Sequence, residues 1–160
     1  MRPLRWIISL LLLCMALTAC GPARKSVYPP NVSIQQLVTA PGGQWQLTLR
    51  IQNNSYAGMD FNSLDGLLQV GDLVPVRLHS TFELDVPTLA GDVIRLDVLP
   101  TAAMAQALQD IADKGSSGSL AYRISGSVSA KPEQEDKARS FDFSDNDWIS
   151  PVPGIPGTYR

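Results

Sequence analysis

Cysteine is almost missing from these 160 residues: there are two, Cys14 and Cys20, and none beyond position 20. The rest of the chain therefore holds no disulfide scaffold, no thiolate metal site and no cysteine nucleophile. Histidine is nearly as scarce, with His79 alone. There is no excess of positive charge: 13 basic residues face 15 acidic ones. A nucleic-acid binder would show a basic patch or stripe, so that class is excluded. No apolar run approaches the ~20 residues that cross a bilayer. The longest, Trp6 to Leu17, is interrupted by Ser9. No solenoid or propeller period is present, and no Gly-x-Ser-x-Gly elbow.

What is present begins with order at the N-terminus. Arg2 and Arg5 precede the apolar run, and the small residues Thr18 and Ala19 follow it. These are the three regions of a secretory signal. The stretch Leu17-Thr18-Ala19-Cys20 resembles the bacterial lipobox. That resemblance implies cleavage before Cys20, diacylglycerol on its sulfur and acylation of its new amino group. Residues 1–19 are then a lipoprotein signal peptide. The mature chain keeps 141 residues, 11 basic and 15 acidic. One domain of that length buries a core without staples. Its mild acidity leaves membrane attachment to the acyl chains. Gly21 in place of an aspartate after Cys20 implies the outer membrane, facing the periplasm.

Residues 20–30 read as the lipidated Cys20 and a Pro-containing tether with a reach of at most ~35 Å over ten residues. From Asn31 onward the apolar period is two. Val32, Ile34 and Leu37 open a strand, and Ala40-Pro41-Gly42-Gly43 supplies turn chemistry. In the segment 44–52, Trp45, Leu47, Leu49 and Ile51 share one face and polar residues the other. Leu64, Leu68 and Val70 come next, then Val74, Val76 and Leu78, with Pro75 directing that strand to a sheet edge. Separate alternating runs follow at Phe82, Leu84, Val86 and at Ile94, Leu96, Val98. Ala102 to Asp113 changes period: Met104, Ala107, Leu108 and Ile111 lie on one helical face. Thr101 is the predicted cap and Gly115 the predicted stop. Leu120 to Val128 and the Phe141–Phe143 segment complete the strands. Residues 31–145 are thus expected to form an all-β, immunoglobulin or fibronectin III-like antiparallel β-sandwich of about seven strands with one short amphipathic helix. Residues 146–160 are expected to be a Pro/Gly-rich tail on the surface without regular structure.

The succession Asn31-Val32-Ser33-Ile34, Trp45 to Asn54, Leu64 to Gly71, Val86-Pro87, the helix and Tyr122 to Val128 resembles the late embryogenesis abundant type 2 family, or water stress and hypersensitive response domain. The resemblance spans roughly residues 31–145. At the family's Asn-Pro-Asn signature this chain has Asn53-Asn54-Ser55, with proline replaced and the second Asn displaced by Ser. The resemblance implies a fibronectin-like sandwich with one helix and a role in desiccation or other stress tolerance. It implies no catalysis, no cofactor and no active-site residues.

Residues that carry chemistry elsewhere have plainer readings here. His79 and Ser80 are adjacent on a strand and point to opposite faces, so they form no dyad. Asp142, Asp145, Asn146 and Asp147 are oxygen ligands of the calcium type, but their spacing is not that of an EF-hand loop. Glu83 with Asp85, and Arg95 with Asp97, read as the wet side of a sheet. Gly115-Ser116-Ser117-Gly118-Ser119 lacks the Lys-Ser/Thr of a phosphate loop. Trp45 belongs to the core. Trp148 and Tyr159 are the candidate interaction surface. Three functions stay open: envelope protection under water stress, an adaptor in a periplasmic or outer-membrane complex with an envelope protein as partner, and a hydrolase or carrier of lipid or another hydrophobic ligand. For the adaptor, Val74–Leu78 or the C-terminal tail is the candidate edge for strand addition.

Overall fold

A computed structural model describes residues 23–160; the signal segment, Cys20 and its neighbour Gly21 lie outside the described residues. The described residues form eight strands, β1 (Asn31–Thr39), β2 (Trp45–Gln52), β3 (Met59–Val70), β4 (Val76–Val86), β5 (Gly91–Val98), β6 (Leu120–Pro132), β7 (Arg139–Ile149) and β8 (Thr158–Tyr159), and one α-helix, α1 (Ala102–Asp113). They form two antiparallel four-stranded sheets, β5-β2-β1-β8 and β4-β3-β6-β7. This is the all-β sandwich expected from the alternation.

The alternation works because every second residue of a strand faces the same way. In β2, Trp45, Leu47, Leu49 and Ile51 are all buried, and in β6 Tyr122, Ile124 and Val128 join them. Two strands break step. A register shift between Ile34 and Gln36 in β1 puts both Ile34 and Leu37 in the core. Another, between Phe61 and Ser63 in β3, does the same for Phe61 and Leu64. A bulge adds one residue and turns the following side chains to the other face.

Gly66 and Gly126 form a cross-strand pair at the centre of the second sheet, and Gly126 also pairs with Phe143 of β7. A Cβ on Gly66 would meet the Ser125 carbonyl oxygen at 2.7 Å and the Phe143 ring at 3.3 Å. The absence of side chains there lets an aromatic ring from the outer strand lie across the sheet's inner face.

The structure corrects the expected segmentation in three places. The runs at Val74–Leu78 and Phe82–Val86 are one strand, β4, at the edge of its sheet, and Val74 precedes it in the turn. Strand β7 continues to Ile149, and β8 pairs Tyr159 with Leu37 and Thr158 with Val38. Residues 146–160 therefore finish both sheets instead of lying on the surface as a tail. The third correction is at the start of the chain. Lys25 donates its backbone N–H to Gln134 Oε1 at 2.8 Å, and Tyr56 donates to the Ser26 carbonyl at 2.9 Å. Ser55 Oγ accepts from Tyr28 N–H at 2.9 Å and returns a bond to the Tyr28 carbonyl. Of the residues 20–30 read as a tether, 25–28 are therefore held against the domain.

The sandwich has two distinct ends. The entry end carries the N-terminal segment and the loops 53–58, 87–90 and 133–138. The helix end carries α1, the turns at 40–44 and 71–75, and the loop 150–157.

Candidate functional site: a groove at the helix end

Helix α1 starts where Thr101 Oγ1 accepts from Met104 N–H at 3.2 Å, which satisfies one of the first-turn donors that a helix leaves unpaired. Met104, Leu108 and Ile111 face the core. A second wall comes from the C-terminal segment, folded back on itself. Ser150 and Arg160 exchange backbone bonds at 2.7 and 2.9 Å, and Val152 N–H donates to the Thr158 carbonyl at 2.9 Å. Thr39 N–H, at the end of β1, donates to the Gly157 carbonyl at 2.8 Å and fixes this hairpin to the first sheet. Between the walls lies a groove of about 690 Å³. Leu108 and Ala112 line one side, Pro151 to Tyr159 the other, with Trp45 and Thr39 between. Asp113 and Gln109 add polar groups on the helix side. A cleft of that size suits a small ligand or a short peptide.

Tyr159 is buried in this groove at 3% exposure, which corrects its assignment to an exposed contact surface. Pairing with Leu37 draws the ring inward. Burial raises the phenol's pKa above its ordinary value, and the nearby Asp113 carboxylate adds to the rise. Trp148 is 62% exposed. It lines a separate shallow hollow with Arg123 and Asn146, so the two residues do not make one patch.

The remaining candidates disperse. His79 Nδ1 is 2.7 Å from Asp65 Oδ1 across the β3–β4 pair, on the exposed face, with Arg77 3.8 Å from the same oxygen. Asp142 is exposed on β7, whereas Asp145 and Asp147 alternate in phase with the inward residues Phe143 and Ile149 and flank Tyr122. Among the described residues, no group of three or more His, Cys, Asp or Glu side chains could hold a metal ion. Glu83 and Asp85 are exposed on edge strand β4. The residue whose role sequence reasoning understated is Asn53. Fully buried, it donates from Nδ2 to the carbonyls of Ala57, Val86 and Pro87 at 2.8, 3.1 and 3.0 Å and accepts from Ser55 N–H at 2.8 Å. The Asn-Asn-Ser turn marks its place, but its partners at the end of β4, Val86 and Pro87, are more than thirty residues away.

No family model matches this chain, and no curated protein matches it. Solved structures do. The solution structure of an Arabidopsis thaliana protein superimposes with a TM-score of 0.53 at 7% identity, covering 87% of this chain and 93% of that one. That likeness shows the fold. A crystal structure of an Archaeoglobus fulgidus protein gives 0.44 at 8% identity, covering 79% of this chain and 98% of that one. A chain provisionally described as a late embryogenesis abundant (LEA) protein gives 0.42 at 11% identity, covering 94% and 87%.

Proposed function

We propose that this protein is a non-enzymatic, lipid-anchored component of the bacterial cell envelope that contributes to tolerance of water or envelope stress. The observation that carries the reading is the order at the N-terminus: Arg2 and Arg5, the apolar run, then Leu17-Thr18-Ala19-Cys20. Cys20 is the lipidated residue, and the outer membrane, facing the periplasm, is the proposed location. The stress role follows the late embryogenesis abundant type 2 resemblance over residues 31–145, and a sandwich fold is in keeping with it. The test is twofold. Metabolic labelling with a fatty-acid analogue is expected to mark the wild-type chain and not Cys20→Ser. Cells lacking the protein are expected to survive drying less well, with recovery by the wild type and not by Cys20→Ser. Equal survival of all strains overturns the stress role.

A second reading, an adaptor for an envelope protein, is favoured by one observation. The groove and the 62%-exposed Trp148 both lie at the helix end, away from the membrane-tethered entry end. In-cell crosslinking of the lipidated chain, with Cys20→Ser as control, separates the readings. One or two near-stoichiometric partners support the adaptor. Recovery of envelope proteins only in proportion to their abundance counts against it.

A further inference from the structure

Three exposed apolar side chains lie on neighbouring segments of the entry end. Tyr28, Tyr56 and Leu89 are 49, 56 and 54% exposed. The two tyrosine rings meet edge to face with centroids 6.5 Å apart. Leu89 N–H donates to the Ser55 carbonyl at 3.2 Å, and Thr88 Oγ1 donates to the Tyr56 carbonyl at 3.1 Å. The three side chains come from three separate segments, yet backbone and hydroxyl bonds hold those segments together.

Leu89 breaks two rules at once. Its φ is +55°, and among the described residues it is the one non-glycine with positive φ. A leucine there carries a steric penalty that glycine avoids, and asparagine largely so. It also presents an alkyl side chain to water at the tip of a loop. Loops with such strain and exposure mark functional surfaces.

The chain's exit gives the surface its occupant. Lys25 is pinned by Gln134 and by an ion pair with Glu133 at 2.7 Å. Lys25 holds the Glu133 carboxyl below its ordinary pKa, with the Gly58 N–H assisting, so the acid beside the exit is paired. Four residues, or five Cα–Cα steps, separate Lys25 from Cys20, a reach of at most ~17 Å. Ser26, between Lys25 and Tyr28, is bonded to Tyr56 itself. The patch is therefore confined within a few residues' length of the anchoring point.

From this geometry we infer that Tyr28, Tyr56 and Leu89 form a docking surface for the lipid bilayer that holds Cys20. The inference rests on the lipid anchor proposed above. Tyrosine suits the headgroup level, where the ring meets acyl chains and the hydroxyl meets water. Three side chains bind a membrane weakly, but a short tether makes the encounter intramolecular, with an effective concentration in the millimolar range. Arg24, beside the exit, adds a cation near anionic headgroups. The docked domain stands with its strands across the membrane plane and its groove outward.

The test uses the full chain, purified from bacterial membranes in detergent and reconstituted into phosphatidylethanolamine/phosphatidylglycerol vesicles that carry headgroup-level quencher lipid. With the Cys20 sulfur taken by lipid, a thiol fluorophore on Asp136→Cys, exposed in the entry-end loop 133–138, reports the entry end and one on Ser116→Cys the helix end. The expected result is flotation with the vesicles, loss of most Asp136→Cys emission and no loss at Ser116→Cys. The variant Tyr28→Ser/Tyr56→Ser/Leu89→Asn, shown by circular dichroism to be folded, is expected to float equally and to recover the Asp136→Cys emission. Flotation with an unquenched Asp136→Cys label, or with quenching that survives the triple variant, overturns the docking surface and leaves the anchor standing. Failure to float overturns the anchor and the docking with it.

Discussion

At the scale of single residues, buried polar groups set the most demanding conditions. Asn53 makes four hydrogen bonds, all to backbone groups: two, to Ala57 and Ser55, shape its own loop, and two, to Val86 and Pro87, tie the end of β2 to the end of β4. Asn53→Ala strands several of them without water, and is expected to lower the unfolding free energy by about 3 kcal/mol, read by urea denaturation. Asn53→Asp keeps the size but faces three carbonyls with an acceptor. It is expected to be worse than Ala at neutral pH and to improve as the carboxyl is protonated. Tyr122 makes a second test. Its phenol is pushed up to about 12, chiefly by burial, with Asp145 and Asp147 adding and the Ile34 N–H opposing. The folded state thus keeps a proton that the unfolded chain sheds near 10.0, the ordinary value. This stabilisation is complete below that pH and disappears as pH rises through about 12. Tyr122→Phe is expected to cost about 1 kcal/mol at neutral pH and to flatten the alkaline fall in stability, measured by denaturation across that range.

At the scale of elements, local pattern decided what could be read. Strands β2, β5 and β6 and helix α1 keep one period throughout, and their buried faces follow from the residues in order. In β1 and β3 the period fails at Ile34–Gln36 and Phe61–Ser63, so alternation alone does not place Met59 and Phe61 in the core with Leu64. A bulge is chosen by the partner strand as much as by its own residues, and single-chain alternation carries no record of that choice. The same holds for the C-terminal segment. Its prolines and glycines describe turns correctly, but the pairing of Thr158–Tyr159 with Leu37–Val38 spans most of the chain. The candidate site was legible to the same degree: Trp45 and the helix face were, the wall opposite them was not. The glycine pair in the second sheet is the sharpest element-level test. A Cβ on Gly126 would lie 2.5 Å from Gly66 Cα. Gly126→Ala is therefore expected to cost about 3 kcal/mol or more by overpacking, seen as a large fall in melting temperature. Thr101→Ala, by comparison, removes one cap and is expected to cost about 1 kcal/mol.

At the scale of the whole molecule, the two ends have different duties. The entry end is tied to the N-terminal segment, and the helix end holds the groove. Strand β6, thirteen residues long, runs between them over roughly 40 Å at a strand's rise. Because the last ten residues build one wall of the groove and cover the side of β1, removing residues 151–160 is expected to do more than empty a pocket. It exposes Leu37 and Trp45 and leaves the β1 edge unpaired along its whole length. The truncated chain is expected to melt earlier and to self-associate through that edge, measured by thermal denaturation and sedimentation.

The burial of Tyr159 also bears on time. A chain made from its N-terminus presents β1 first, yet Tyr159, the partner of Leu37, lies in β8, the last strand among the described residues. The other strand pairings can form before it, but the first sheet keeps an open edge until β8 arrives. Contacts between such distant residues are slow to form, because a long loop must close before they contribute. Docking of β8 is therefore expected to be a late step, and the one that closes the groove.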